Sequence, residues 1–238
     1  MNDTIQNYVI DSRNRAQGTS SNFRIIFDQP IQKISKVKLL HCSIPSTHYN
    51  VRTDYNTLIF NEGGPNLTAT MTDGAYTIAD LQAEIKLQME AVGANTYTVT
   101  YDARTMKLTI TATGNFSIIG TLSDSFLDVT GYDAIDTTSA LSHTANDVVD
   151  LHPFKYAQIE IPELSLIGSS NNNTKFTFIV PIEVNRSDVH FFNAEDNFNQ
   201  FTLSSQCNIN YLSVIVKDQD NNIVDLNGAP WFMILNIQ

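Results

Sequence analysis

The sequence predicts a mainly β protein: an antiparallel β-sandwich interrupted by one helix-bearing block. Three observations carry that reading. Short runs of β-branched, aliphatic and aromatic residues recur along most of the chain, separated by Pro-, Gly- and Asn-rich punctuation. A helical period occurs in one stretch only, within residues 72–93. The chain has 238 residues, 42% of them hydrophobic, enough to bury the core of one large β domain or two smaller ones. Strands without helices to cover them must cover one another, which is the logic of a sandwich.

The elements follow in order. Residues 1–21 are polar, carry Arg13, Arg15 and Gly18, and read as a flexible amino-terminal arm. "NFRIIFDQ" (22–29) and "ISKVKLLHCSIP" (34–45) read as strands punctuated by Pro30 and Pro45. "TLIFN" (57–61) and "NLTATM" (66–71) flank "EGGP", a tight turn, and so form a hairpin. In "DGAYTIADLQAEIKLQMEAVG", Thr77 and Asp80 form a variant capping box. Ile78, Leu81, Ile85, Met89 and Val92 then draw one apolar stripe, and Gly93 ends the helix. "TYTVTYDARTMKLTITAT" (96–113) alternates apolar residues with threonine on both sides of "DART", a hairpin with one wetted face. "FSIIGTLSDSFLDVTGY" (116–132) closes this unit, and 133–150 is polar with little signal. Strands resume at 154–164, 175–184, 188–192, 200–205, 209–219 and 231–238, with "SSNNNT" (169–174) as a loop tip. The expected organisation is an arm (1–21), a sandwich (22–71 and 133–238) and an inserted helix-hairpin block (72–132).

Composition narrows the function. Formal net charge is −11, with no basic stripe to neutralise phosphates, so direct binding of nucleic acid is not expected. Only 16% of residues are charged, a composition that suits broad contacts with neighbouring subunits. No apolar run approaches the ~20 residues of a membrane span, and "MNDTIQNYVIDS" lacks the pattern of a secretory signal. Cys42 and Cys207 each sit in a strand-like run and read as reduced thiols rather than a disulfide.

Chemistry-bearing motifs are scarce. There is no phosphate-binding glycine loop, no H-E-x-x-H and no G-x-S-x-G. The five histidines, His41, His48, His143, His152 and His190, lack companions at metal-ligand spacing. "KDQDNNIVDLNG" (217–228) resembles a calcium loop, but its sixth and twelfth residues from Asp218 are Ile223 and Ala229, where Gly and Glu are needed. It reads as a polar turn. Sequons at Asn66 and Asn185 carry no weight without a secretory signal. Glu160 and Glu163, flanking Pro162, are an example of a candidate carboxylate pair for a glycan hydrolase and read as solvated strand-end charges. No catalytic residue, cofactor or metal is expected.

Both ends of the chain resemble a known group of viral proteins. "IDSRNRAQGTSSNFRIIFDQPIQKISKVKLLHCSIPSTHYNV" (10–51) is similar to its opening: an "S/D-R-x-R" arm, "S-x-x-F", a strand, "P-I", and a strand ending in "x-I-P". "LSVIVKDQDNNIVDLNGAPWFMILNI" (212–237) resembles its closing hairpin, and "DGAYTIADLQAEI", "YTVTYDARTMKLTITA" and "FLDVTGY" resemble its inserted block. Gly131-Tyr132 stands where that group has Gly-Phe. The group is the penton and minor capsid proteins of icosahedral double-stranded DNA viruses: virophages, polinton-like viruses and giant-virus relatives. The resemblance implies a jelly-roll sandwich and a structural role in the virion, as a pentameric vertex subunit. Its partners would be other copies, the major capsid protein and possible further minor capsid proteins, with assembly inside the host cell. A minor capsid or spike module beside the vertex is the alternative, and a β-sandwich glycan hydrolase a further one. Tyr8, Arg13 and Arg15 are the candidate assembly arm, because arginine binds carboxylates in bidentate fashion. Deleting residues 1–20 is expected to spare folding and impair assembly.

Overall fold

The computed structural model describes residues 6–53, 55–152, 154–164, 177–184, 188–194 and 199–238. The expected loop tip at 169–174 and the sequon at Asn185 lie outside the described residues. The chain divides into two compact units, one built from 1–48 and 154–238, the other from 49–153. The first opens with β1 (Gln6–Asp11), β2 (Gln17–Gly18) and β3 (Asn22–Pro45). The second follows with β4 (Thr57–Asn61), β5 (Asn66–Thr70), α1 (Ile78–Val92), β6 (Tyr97–Asp102), β7 (Lys107–Ile118), α2 (Phe126–Thr130) and β8 (Ala140–Thr144). The chain then returns to the first unit with β9 (Tyr156–Glu160), β10 (Thr177–Pro181), β11 (Val189–Asn193), β12 (Gln200–Lys217) and β13 (Phe232–Ile237).

The first unit is an antiparallel jelly-roll β-sandwich, with strands in the order β1-β13-β3-β12-β9-β10 and with β2 and β11 also paired to β3. Its sheet curls because its two longest strands bend without breaking. The β3–β12 register shifts three times between Thr202 and Tyr211, and Lys33 in β3 takes a positive φ of 56°. Asn208 Oδ1 accepts the Lys33 N–H at 2.7 Å across that bend. Bulges of this kind add twist while pairing continues. The segments expected as separate strands at 22–29 and 34–45, and at 200–205 and 209–219, are therefore each one strand. Alternation supplies the core: Met233, Leu235 and Ile237 of β13 meet Cys42, Leu39 and Val37 of β3, and Phe178, Val180, Val214 and Val216 belong to the same core. Each fully buried aliphatic side chain contributes about 1.5–3 kcal/mol.

The arm departs from expectation. Residues 6–21 are not a free tail: β1 pairs with β13 along its whole length, from Gln6↔Ile237 to Asp11↔Phe232. The cause is the alternation in "QNYVID", which turns Ile10 into the core and packs Tyr8 against it. Deletion of the arm would therefore open the sandwich rather than spare it.

The second unit is wider than the expected 72–132 block. It takes in the hairpin β4–β5, because Leu58 and Phe60 are buried in the same core as Leu81, Ile85 and Met89 of α1 rather than in the sandwich core. Its strands run β5-β4-β7-β6, with β8 also on β7. The capping box at Thr77 and Asp80 starts α1, and Leu81, Ile85 and Met89 are fully buried, while Val92 at the end of the stripe is exposed. Strand β8 falls in the stretch that carries little signal, since its one core-facing residue on the ladder is His143, opposite Ile110. Its Nε2 lies 2.8 Å from Phe116 O.

Charge is unequally divided. The first unit holds 10 basic and 12 acidic residues, net −2; the second holds 4 and 13, net −9. Among the described residues, no helix is long and apolar enough to cross a membrane.

Candidate functional site

The amino-terminal segment is built onto the end of the curled sheet by its own side chains. Tyr8 packs edge-on to Phe27 at 5.9 Å between ring centres, and its hydroxyl bonds to Gln6. Past β1 the chain makes one helical turn, Ser12–Asn14, capped by Asp11, whose Oδ1 accepts the Arg13 N–H at 2.8 Å. The Arg13 guanidinium closes back on the same carboxylate, with Nη2 at 2.6 Å and Nε at 3.0 Å from Oδ2. Those hydrogen bonds hold the Asp11 carboxyl below its ordinary range against the opposing effect of burial. Arg15 donates to two backbone oxygens, Nη1 to Ser12 at 2.7 Å and Nε to Gly18 at 3.1 Å. Trp231, the only tryptophan, is the anchor. It exchanges hydrogen bonds with Ser12 at 2.9 Å, its indole N–H donates to Ser20 O at 2.7 Å, and it meets Phe23 edge-on.

Tyr8, Arg13 and Arg15 are thus brought to one end of the sheet, but not as an open basic fork. Arg13 is bound by its own Asp11, and Arg15 holds the chain turn that follows.

The outer face beside them carries residues that sequence reasoning missed. Register places Val9, Ile234 and His41 in one row across β1, β13 and β3, and Phe232, Ser43 and Phe191 in the next. His41 lies between the rings of Phe191 and Phe232, its Nδ1 2.7 Å from Asn193 Oδ1. Val9 and Phe191 are 63% and 62% exposed, so this stripe is apolar and open at both ends. The signal was present: "YVI" and "WFMIL" are apolar at both parities, which a strand wetted on one face is not.

The other candidates have structural occupations. Glu160 is not a solvated end charge but is buried, 2.6 Å from Lys217 Nζ, while Glu163 Oε2 accepts the Ser213 N–H at 2.9 Å. Asp218 Oδ1 accepts the N–H groups of Asp220 and Asn222, closing the turn that resembled a calcium loop. Cys42 and Cys207 are free thiols, and burial pushes the pKa of Cys42 well up. No group of three His, Cys, Asp or Glu among the described residues could hold a metal.

The architecture is a curled antiparallel jelly roll with a second antiparallel unit. Residues 3–227 match a family of unknown function (DUF5901), and the chain belongs to that family. No curated protein matches its sequence. Among solved structures it is similar to the mavirus penton protein, with a TM-score of 0.56 and 13% identity over 98% of each chain. It is also similar to a chain in the structure of the Sputnik virophage, with a TM-score of 0.50 and 14% identity over 98% of this chain and 97% of that one. At these identities the likeness is one of fold.

Proposed function

We propose that this protein is a structural subunit of an icosahedral virus capsid, and that it forms the vertex as a closed ring of five. The observation that carries the reading is the end-to-end match of fold, both units included, to a protein named as a penton. The resemblance in the sequence points the same way. A single heterologous patch per subunit closes a ring when its rotation permits. The nearly balanced first unit is suited to packing against neighbouring copies and the major capsid protein. The second unit, at net −9, is suited to standing in solvent, where like charge keeps particles apart.

Light scattering of the purified chain over a concentration series tests this. Five copies of 26.6 kDa give 133 kDa, the expected mass. A trimer would replace the vertex assignment with a spike or minor capsid protein, and a monomer at every concentration and salt would remove the ring.

A further inference from the structure

The sheet of the first unit has two end strands, β10 and β1, and they are treated differently. On β10, the Ile182 N–H bonds to Lys155 O, so Phe178 and Val180 direct their backbone groups to β9 while Thr177, Ile179 and Pro181 direct theirs outward. That outward side is guarded. Asn199, itself buried, accepts the Ile179 N–H at 3.1 Å and donates to Ile179 O at 2.9 Å. Pro181 has no N–H to offer.

On β1, the Ser12 N–H bonds to Trp231 O in the same register as the strand pair. Gln6, Tyr8 and Ile10 therefore face β13, and Asn7, Val9 and Asp11 present their N–H and C=O groups to the open side. Among the described residues nothing pairs with that side. The strand carries no Pro, no Lys and no register shift. Such devices are how proteins blunt exposed edges, so one guarded and one bare edge on the same sheet mark the bare one as a place where pairing occurs.

We propose that the outer edge of β1 takes an extended segment of another protein chain, added as a further strand. Its chemistry follows from the neighbours. Side chains apolar on both faces would extend the Val9–Ile234–His41 row on one side and cover Tyr8 and Phe27 on the other. Acidic residues would suit its flanks: β1, β13 and residues 34–45 of β3 hold one acidic side chain, Asp11, against Lys36 and Lys38, with Arg13 and Arg15 just beyond. Lys38 lies in the row Asn7–Asn236–Lys38, two strands or about 10 Å in from the edge. A second copy of β1 is the wrong occupant, because two such edges pair about a two-fold axis and close a dimer, not a ring. That exclusion, and the source of the segment in a capsid neighbour, rest on the proposed function; the edge chemistry does not.

The probe is a blocked, fluorescein-labelled peptide with a central run of valine and tyrosine, apolar on both faces of a strand, and glutamates at each end, followed by anisotropy on the full chain. Val9→Pro removes one outward N–H and leaves the bonds of Tyr8 and Ile10 to β13 intact. Val9→Glu, which sets a like charge at the edge against the acidic segment, is the second variant should the proline disturb folding. Binding is expected for the wild type and about tenfold weaker for either variant, with unchanged unfolding midpoints. Hydrogen exchange should show the Val9 amide fast and the Ile10 amide slow in the free protein, with Val9 slowed by the peptide. No binding at ~1 mM peptide, or equal binding by the variants, overturns the site. Equal binding of the same peptide with lysines in place of the terminal glutamates overturns the acidic occupant. The peptide result is independent of ring formation, so failure of the pentamer and failure of this site are read separately.

Discussion

Removing residues 1–21 should destabilise the first unit, and the size of the effect follows from what β1 covers. Ile10 is 1% exposed, and its burial stabilises by about 1.5–3 kcal/mol. The segment also supplies the Ser12 and Ser20 partners of Trp231, which is itself 2% exposed. The ladder bonds to β13, at about 0.5–1.5 kcal/mol each, are roughly offset by the ~1–2 kcal/mol per residue needed to order the strand. The apolar terms decide the balance, and a loss of about 3–5 kcal/mol is expected. With a urea slope near 2 kcal/mol/M, the midpoint falls by about 1.5–2.5 M. Trp231 reports on this unit alone, since the second unit has no tryptophan. Its emission should shift to the red before any denaturant is added. Ile10→Ala should reproduce about 2–5 kcal/mol of the effect within the full chain. An unchanged emission maximum together with an unchanged midpoint would show that β1 is a passenger on the sheet, and the reasoning would be wrong.

Two further outcomes concern the second unit. Glu62 ties the end of α1 to β6, accepting the N–H groups of Ala94 at 2.8 Å and Asn95 at 3.0 Å and the Tyr97 hydroxyl at 2.7 Å. Burial alone would raise its pKa, but the bonds from Ala94, Tyr97 and Asn95 outweigh it and the net shift is downward. A depressed carboxylate contributes stability that is complete above its ordinary value of 4.5 and is lost as pH falls through the lowered one. Acid titration followed by tyrosine signal should show that loss below about pH 4.5, and Glu62→Gln should flatten it while costing about 1–2 kcal/mol at neutral pH; an acid limb identical in the variant would assign the loss to other groups. Gly131 ends α2 at φ 79°, where a Cβ would lie 2.4 Å from Asp147 O. Gly131→Ala should destabilise the unit by about 2 kcal/mol or more, read as a lowered thermal midpoint, and a midpoint unchanged would mean the loop at Asp147 simply yields.

What could be read in the sequence was what local patterning controls. Thr77 with Asp80, and Leu81, Ile85 and Met89 at helical spacing, defined α1 to within its caps, and the threonine alternation defined the β6–β7 hairpin. Tyr132 in place of phenylalanine also has a local reason: its hydroxyl donates to His143 O at 2.8 Å, which a phenyl ring could not do. What could not be read was non-local. A bend such as Lys33's inside β3 is permitted by Asn208, 175 residues away, and no window of sequence contains both. The arm looked free for the same reason. Its six-residue strand has a partner only because β13, at the other end of the chain, lies beside it.

That pairing changes the meaning of the two arginines. A free arm would offer Arg13 and Arg15 as forks for a neighbour's carboxylates. In the folded chain Asp11 already engages Nε and Nη2 of Arg13, so a partner carboxylate would meet a neutralised pair and gain little net charge attraction. Arg15 spends its donors on Ser12 and Gly18, fixing the turn that carries the chain from β1 to β2. The arginines are therefore better placed to shape the edge than to grip a partner. Among the described residues, what is left without a partner at this end of the sheet is backbone, at Asn7 and Val9, and such an edge is met by another strand. An extended segment can answer both demands at once, pairing with that edge and bringing its acidic flanks toward a locally basic surface on an otherwise acidic protein.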